Sequence, residues 1–354
     1  MVRRLMIIAL GLLVAGALAA GVSWHRMQTY LDSPLAIDVA TEFTIPSGAT
    51  MRAVVDELVG QGITDTAHWL LIDARLNESG GQIKAGDYIL EPGTTPRQMM
   101  ATFIAGDVKL ERVTLIEGWT AAEALAAILG HEAVRDDLGI ALTKRADGTP
   151  WLEPDTHRTL ASRLDIESAS IEGWLYPDTY RFARGTAASA LLAQAHAAMT
   201  EALDAAWAEA GEGAQLESAY AALTLASIIE KETALDSERG QIAGVFSRRL
   251  ARGMRLETDP TVIYGMGLNY DGNIRRRDLR ETTAYNTYRI DGLPPTPIAL
   301  PARASIEAAL APVEGEALFF VATGDPDGSH YFSATLDEHN EAVQRYLSKL
   351  RQRP

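Results

Sequence analysis

The chain opens with its strongest hydrophobic pattern, an uncharged apolar stretch that runs from Leu5 to Trp24 behind Arg3 and Arg4. An α-helix needs about 20 residues to cross a bilayer, and this stretch is long enough. Basic residues before the stretch favour a cytoplasmic N-terminus, so the chain after Trp24 is predicted to lie in the periplasm or outside the cell. The small-residue spacing of Ala17–Ala19 leaves a cleaved signal peptide open as the alternative.

The pattern changes after the apolar stretch. Residues 25–40 show no clear periodicity and are predicted to form a linker. Beyond them, alternating and helical periods predict a small module over residues 41–106, in the order strand, helix, helix, strand and then a third helix. Its predicted elements are Thr41–Pro46, Thr50–Val59, Thr66–Leu76, Gly86–Leu90 and Thr95–Ile104.

Residues 107–354 mix strand and helix patterns and are predicted to form a second, larger domain. Three helices dominated by strong helix formers occupy its middle. The stretch from His131 to Thr159 shows no clear period, and no element is predicted there. The chain is therefore predicted to be α+β, with residues 1–24 as a cytoplasmic stub and transmembrane anchor. The predicted elements of the larger domain are strand Leu110–Ile116, helices Thr120–Leu129, Ala187–Ala210, Leu216–Thr233 and Ser237–Arg252, strands Leu318–Ala322 and His330–Phe332, and helix Leu336–Arg351.

Composition then narrows the chemistry. The 32 Lys and Arg residues against 47 Asp and Glu give a net charge of −15, the wrong sign for tracking phosphate backbones, so no nucleic-acid partner is predicted. Without cysteine the chain has no disulfide, thiolate ligand or thiol nucleophile. The 7 histidines are scattered, and phosphate-loop, dinucleotide, zinc-protease and nucleophile-elbow motifs are missing from the sequence. We therefore predict neither a metal nor a cofactor.

Acidic and aromatic residues cluster in Ile171–Tyr180 around a Pro-Asp turn. Aromatic faces can cover the apolar face of a sugar ring while carboxylates accept hydrogen bonds from its hydroxyls, so the segment is compatible with a carbohydrate-binding wall. A rigid turn whose aromatic rings fill the core is an equally good interpretation.

A second cluster ends in two glutamates. In Leu223–Thr233 one helical stripe leads to Glu230 and another to Glu232, and both stripes are apolar before the acid. Burial would raise the pKa of such a carboxyl, which could then protonate a leaving group and afterwards act as a base. A solvated helix end with surface ion pairs is the plainer interpretation. The period alone does not choose between the two glutamates.

Two further segments combine polar groups with capping or stiff sequence. Arg255–Gly265 offers carboxylates as a second acid or as acceptors for substrate hydroxyls, although Thr258 and Asp259 would equally suit the cap of a helix that begins at Pro260. Thr283–Tyr288 leads into a proline-rich loop that is stiff enough to hold aromatic and amide groups against a ligand.

Taken together and in this order, these segments resemble the YceG-like (MltG) family of endolytic murein transglycosylases. The resemblance implies a single-pass inner-membrane protein with a LysM-like module ahead of its catalytic domain. It also implies cleavage of the β-1,4 bond between N-acetylmuramic acid and N-acetylglucosamine in nascent peptidoglycan strands, without water, which leaves 1,6-anhydro ends and limits strand length. The matching segments are Glu172–Tyr180, Ala226–Thr233, Thr258–Gly265, Tyr285–Tyr288 and Gly292–Pro295.

The resemblance also implies roles for single residues. It matches the family's catalytic glutamate to Glu230 and gives Glu232 a supporting place. Association with peptidoglycan synthases is a further expectation from the family. The residues implied to hold or line the glycan strand are Glu172, Tyr176, Asp178, Tyr180, Glu232, Thr258, Asp259, Tyr264, Tyr285, Asn286 and Tyr288.

Two alternatives stay open. A hydrolytic muramidase would use the same groove with a second acid, such as Glu257 or Asp259, to activate water, and would leave reducing ends. A membrane-tethered scaffold would bind peptidoglycan through the LysM-like module and would cleave nothing.

Overall fold

The computed structural model describes residues 2–210 and 216–352, in which helices alternate with short strands that pair two by two. The helices are α1 Val2–Leu31, α2 Met51–Gly60, α3 Ala67–Leu76, α4 Pro96–Ala105, α5 Ala121–Leu129, α6 Pro154–Arg163, α7 Ala188–Ala210, α8 Ala219–Glu232, α9 Asp236–Ala251, α10 Asp259–Gly265, α11 Arg303–Leu310 and α12 Leu336–Gln352. The strands are β1 Thr41–Ile45, β2 Gly86–Leu90, β3 Leu110–Thr114, β4 Thr143–Lys144, β5 Pro150–Trp151, β6 Thr179–Ala183, β7 Phe319–Ala322 and β8 His330–Ser333. The pairs are β1–β2, β3–β6, β4–β5 and β7–β8.

The chain divides into two compact units. The first ends at Glu111 and also takes in Phe182–Gly185, and the second comprises Arg112–Arg181 and the chain from Thr186 onward. In the first unit β1 runs antiparallel to β2, with α2 and α3 between them in sequence, which is the βααβ order that the sequence predicts. Thr95 and Gln98 form a reciprocal capping box at the start of α4, where Pro96 fits because the first turn needs no N–H donor.

The prediction that residues 25–40 form a linker is wrong for their first part. Helix α1 continues to Leu31, and Met27 and Leu31 are buried in the same core as Phe43 and Phe103. Met27 and Leu31 are four residues apart and lie on one face of the helix, but this single pair is too short to show a period in the sequence. From Arg3 to Leu31, α1 is long and apolar enough to cross a membrane.

The second unit is built around α8, whose residues Ala222–Ile229 are buried on every side. Helices α7, α9 and α11 pack against it. The side chain of Ser218 accepts a hydrogen bond from the backbone N–H of Ala221 and so caps the first turn of α8. A helix that is apolar all round belongs in a core, and this one ends in Glu230, Lys231 and Glu232 where the packing opens.

Residues 131–159 contain elements that the sequence pattern did not predict. Strands β4 and β5 pair antiparallel across a short turn, and α6 begins at Pro154. Strands of two residues are too short to display an alternating period, which explains why this region has no visible pattern.

Candidate active site

Glu230 and Glu232 point to different places. They stand two residues apart in the last turn of α8, and at 3.6 residues per turn such positions lie on nearly opposite faces. The helical period did not distinguish the two acids, but in the structure their side chains have different surroundings.

Glu230 is engaged in holding another helix. Its Oε2 accepts hydrogen bonds from the backbone N–H of Ala302 (3.0 Å) and the hydroxyl of Ser305 (2.7 Å), at the N-terminus of α11. A carboxylate in this position satisfies N–H groups that a helix cannot pair internally and faces the positive end of its dipole. The neighbouring Lys231 donates to the backbone oxygen of Gly118 (3.0 Å), so Glu230 connects α8 to α11 and Lys231 connects it to the loop before α5.

Glu232 faces a cavity of about 420 Å³. The pKa of its carboxyl is raised to about 7, mainly because the group is removed from water; a hydrogen bond donated by the Thr258 hydroxyl lowers this pKa, and the charge of Asp259 raises it. At neutral pH a group with this pKa exists in both protonation states, as a general acid that later serves as a base must. Other parts of the cavity wall come from Arg249, Leu256, Glu257, Tyr288, Phe319, Phe320 and His339.

A network of buried threonines fixes the position of Thr258. The backbone N–H of Thr258 donates to the hydroxyl of Thr287 (3.0 Å), and its backbone oxygen accepts from the hydroxyl of Thr261 (2.8 Å). The hydroxyls of Thr261 and Thr287 also contact each other at 2.9 Å. The Thr258 side chain does not cap α10, which was one of the two interpretations of its segment, because its hydroxyl is directed to Glu232 instead.

Asp259 and Tyr288 form a hydrogen-bonded pair on the same cavity wall. The Tyr288 hydroxyl donates to Oδ1 of Asp259 (2.8 Å), and burial raises the pKa of this phenol, so it keeps its proton at any physiological pH. Asp259 itself is exposed. The cavity therefore holds two carboxyl groups in different surroundings, one desolvated and one in water.

Arg249 lies in the cavity wall and connects three segments of the chain there. No pattern in the sequence analysis pointed to it. Its guanidinium donates to the backbone oxygens of Leu318 (2.7 Å) and Leu256 (3.1 Å) and to the carboxylate of Glu257 (3.1 Å). It also lies over the ring of Phe319, 5.0 Å from the centroid. Arg249 shares the buried face of α9 with apolar residues, and an arginine is seldom buried without such partners. That position is the feature from which its role could have been predicted.

Glu172 and Tyr264 lie together away from this cavity. Glu172 is 1% exposed and accepts hydrogen bonds from the backbone N–H of Ala121 (2.7 Å) and the Tyr264 hydroxyl (3.1 Å). Burial raises the pKa of Glu172 to about 7. The ring of Tyr264 packs between Trp151 and Tyr285, at centroid distances of 5.4 and 5.0 Å. Tyr264 is part of the hydrophobic core, and Trp151 and Tyr285 pack against that core.

The profile of the YceG-like family matches residues 43–345 of the chain. The chain belongs to the YceG-like family. The protein named endolytic murein transglycosylase in Bacillus subtilis (strain 168) is 29% identical to it over 344 residues, which cover 95% of this chain and 92% of that protein. The protein of the same name in Streptococcus pneumoniae serotype 2 is 25% identical over 363 residues, covering 95% of this chain and 64% of that protein.

A solved YceG-like structure shares the fold. The 2.6 Å crystal structure of a yceG-like protein from Listeria monocytogenes aligns with a TM-score of 0.53 and 29% identity, over 85% of this chain and 98% of that one. The resemblance found in the sequence motifs is therefore confirmed at the level of the family and of the mixed α and β fold.

In this YceG-like chain, four of the residues implied to hold the glycan strand meet in one cavity: Glu232, Thr258, Asp259 and Tyr288. The others lie elsewhere. Asn286 is fully buried, donating to the backbone oxygen of Asp278 (3.1 Å) and accepting from the N–H of Tyr288 (3.0 Å).

The remaining predicted residues have local partners. The Tyr180 hydroxyl donates to the backbone oxygen of Tyr176 (2.6 Å), and the Tyr285 hydroxyl contacts that of Thr296 (2.9 Å). Asp178 is exposed and accepts a hydrogen bond from the N–H of Thr179 (2.6 Å). Among the residues described, the structure contains no group of three or more His, Cys, Asp or Glu that could hold a metal ion.

Proposed function

We propose that this protein is an endolytic murein transglycosylase that cleaves the β-1,4 bond between N-acetylmuramic acid and N-acetylglucosamine within peptidoglycan strands. The names of relatives aligned over 95% of the chain support the reaction class. One observation in the molecule carries the proposal: a desolvated carboxyl, Glu232, faces a cavity that is also lined by Thr258, Asp259 and Tyr288.

In the proposed reaction Glu232 acts first as the acid. Protonated, it gives its proton to the glycosidic oxygen as that bond breaks, while positive charge develops at the anomeric carbon of the N-acetylmuramic acid. As the carboxylate, it then removes the proton from the C6 hydroxyl of the same sugar, whose oxygen closes the 1,6-anhydro ring. No water enters, because an attached hydroxyl replaces a second reactant.

The assignment of the acid differs from the expectation drawn from the sequence. Glu230 remains the residue implied by the family resemblance, and its carboxylate is occupied by the N-terminus of α11. We assign Glu230 a structural role because its carboxylate holds the N-terminus of α11, and Glu232 the chemical one because its carboxyl has a raised pKa and lines the cavity. We propose that Asp259 and Tyr288 hold sugar hydroxyls.

The experiment is mass spectrometry of peptidoglycan digested by the full chain and by the Glu232→Gln and Glu230→Gln variants. We expect anhydro-ended fragments from the parent protein and a loss of at least about 100-fold in rate for Glu232→Gln, because a positioned acid contributes at least that factor. Glu230→Gln should keep most of the activity if it folds, as checked by circular dichroism. Full loss in a folded Glu230→Gln protein with activity retained by Glu232→Gln would reverse the assignment.

A hydrolytic muramidase is the second candidate, and the exposed carboxylate of Asp259 in the same cavity is the observation that favours it. Such an enzyme would activate water with Asp259 or Glu257 and leave reducing ends, one water heavier than anhydro ends. The same spectra distinguish the two. Intact strands after incubation with folded protein would support the scaffold alternative.

The cellular setting is part of the proposal. The exposed apolar face of α1 supports a single-pass anchor in the inner membrane, with the remainder of the chain periplasmic. The βααβ order of the first unit supports a LysM-like module. Peptidoglycan synthases are the proposed protein partners, because they make the strands that this reaction would end.

A further inference from the structure

A second cavity, of about 490 Å³, lies at the opposite end of α8. Trp174, Tyr220 and His196 contribute rings to its wall, and Asp165 and Glu167 contribute carboxylates. Tyr220 is near the start of α8 and Glu232 is its last residue, which puts them about 18 Å apart along the helix axis at 1.5 Å per residue. The proposed reaction uses none of the residues of this second cavity.

The aromatic wall is rigid. The rings of Trp174 and Tyr220 stack at a centroid distance of 6.1 Å and an angle of 14°, and the His196 ring meets Trp174 edge-on at 5.5 Å. The Tyr220 hydroxyl accepts from the Ser168 hydroxyl (2.9 Å) and donates to the backbone oxygen of Pro295 (3.2 Å). A ligand bound here would find its contact surface already ordered and would cost little conformational entropy.

Polar groups of Trp174, Asp165 and Glu167 lie around these rings. The indole N–H of Trp174 is buried and meets no acceptor within residues 2–210 and 216–352, although buried donors are normally paired. Asp165 has φ +54°, the left-handed conformation that glycine usually provides just after a helix, and its carboxylate is exposed at the cavity.

We propose that this cavity binds a neutral N-acetylated sugar ring of a glycan strand, at a distance from the bond that is cleaved. The two carboxylates repel an anion. Sugar hydroxyls can donate hydrogen bonds to both carboxylates, while the C–H face of the ring covers an aromatic surface. That the ligand is a peptidoglycan strand rests on the proposed function. Binding at this cavity does not depend on the cleavage chemistry.

The test is fluorine NMR of the full chain in detergent micelles, with its 6 tryptophans replaced by 5-fluorotryptophan and Trp174→Phe used only for signal assignment. On titration with an N-acetylglucosamine pentamer, we expect the Trp174 signal to shift and saturate. Asp165→Asn combined with Glu167→Gln should weaken this binding about tenfold or more, because hydrogen bonds to charged groups are lost. Asparagine adopts the left-handed conformation readily, so this variant should fold.

The matched control neutralises two exposed glutamates elsewhere, Glu314→Gln with Glu316→Gln, and should bind as the parent does. A Trp174 signal that stays fixed, equal weakening in both double variants, or a shift produced by a lysine tripeptide and not by the pentamer would each overturn the proposal. The titration needs no turnover and can be repeated in Glu232→Gln, so failure of the proposed cleavage reaction would be seen separately.

Discussion

At the scale of single residues, the helical period places an acidic pair at the end of a buried helix, and the family resemblance alone points to one of the two, Glu230. Helical stripes show which residues share a face, and the residues before both Glu230 and Glu232 are mainly apolar. The difference comes from residues distant in sequence: Ala302 and Ser305 meet Glu230, whereas Thr258 meets Glu232. No local pattern contains such contacts, so the different surroundings of the two acids could not be predicted from the sequence.

The pH dependence of activity should report the hydrogen bond from Thr258 to Glu232. This bond lowers the pKa of the carboxyl, which burial has raised to about 7, because it favours the charged form. Thr258→Val removes the hydroxyl at nearly constant shape, so the pKa should rise by about one unit or more. Since the protonated acid starts the reaction, the alkaline limb of kcat/KM should move to higher pH, while the maximal rate falls.

Thr258→Ser is the control, because it keeps the hydroxyl and should leave the alkaline limb near its original position. The measurement is kcat/KM for strand cleavage from pH 5 to 9 (roughly the range that brackets a pKa near 7), with folding checked by circular dichroism. An unchanged limb in a folded Thr258→Val protein would mean that Glu232 is not the titrating acid.

At the scale of elements, the long helices and strands β1, β2, β3, β7 and β8 follow from the sequence, whereas β4, β5, β6, α6 and α11 do not. Helices α7, α8 and α9 lie within about three residues of their predicted limits, because strong periodic patterns locate long helices well. Helix α11 has eight residues and was not predicted, although its N-terminus holds Glu230. The end of α1 was taken for linker because two buried residues, Met27 and Leu31, make no visible stripe.

The burial of the end of α1 predicts that the anchor helix stabilises the first unit. Leu31→Ala removes a fully buried side chain and should lower the free energy of unfolding of this unit by about 2–5 kcal/mol. Leu13→Ala is the matched control, because Leu13 is 72% exposed and contributes nothing to that core. Denaturant unfolding in micelles, followed at a fluorinated Trp69 in the first unit, measures both. Equal midpoints for the two variants would show that α1 is only a tether.

At the scale of the whole molecule, the division into units depends on contacts that no segment of sequence displays. Residues Phe182–Gly185 belong to the first unit although the chain on both sides of them belongs to the second. Local periodicity locates strands but not their distant partners. The sequence therefore could not show that Phe182–Gly185 belongs to the first unit. Among the described residues, two of the cores are nevertheless made of separate stretches, from Met27 to Phe103 and from Met199 to Leu310.

Separate cores predict separate unfolding transitions. Leu58 is fully buried in the first core and Leu225 in the second, and truncation of either to alanine should cost about 2–5 kcal/mol. In calorimetry of the full chain in micelles, Leu58→Ala should lower one midpoint and Leu225→Ala the other. The double variant should show both shifts with little coupling, because distant sites with no shared partners are additive. If both substitutions lowered the midpoint of one common transition by the same amount, the two units would unfold together. A destabilising substitution in the first unit would then also unfold the cavity at Glu232.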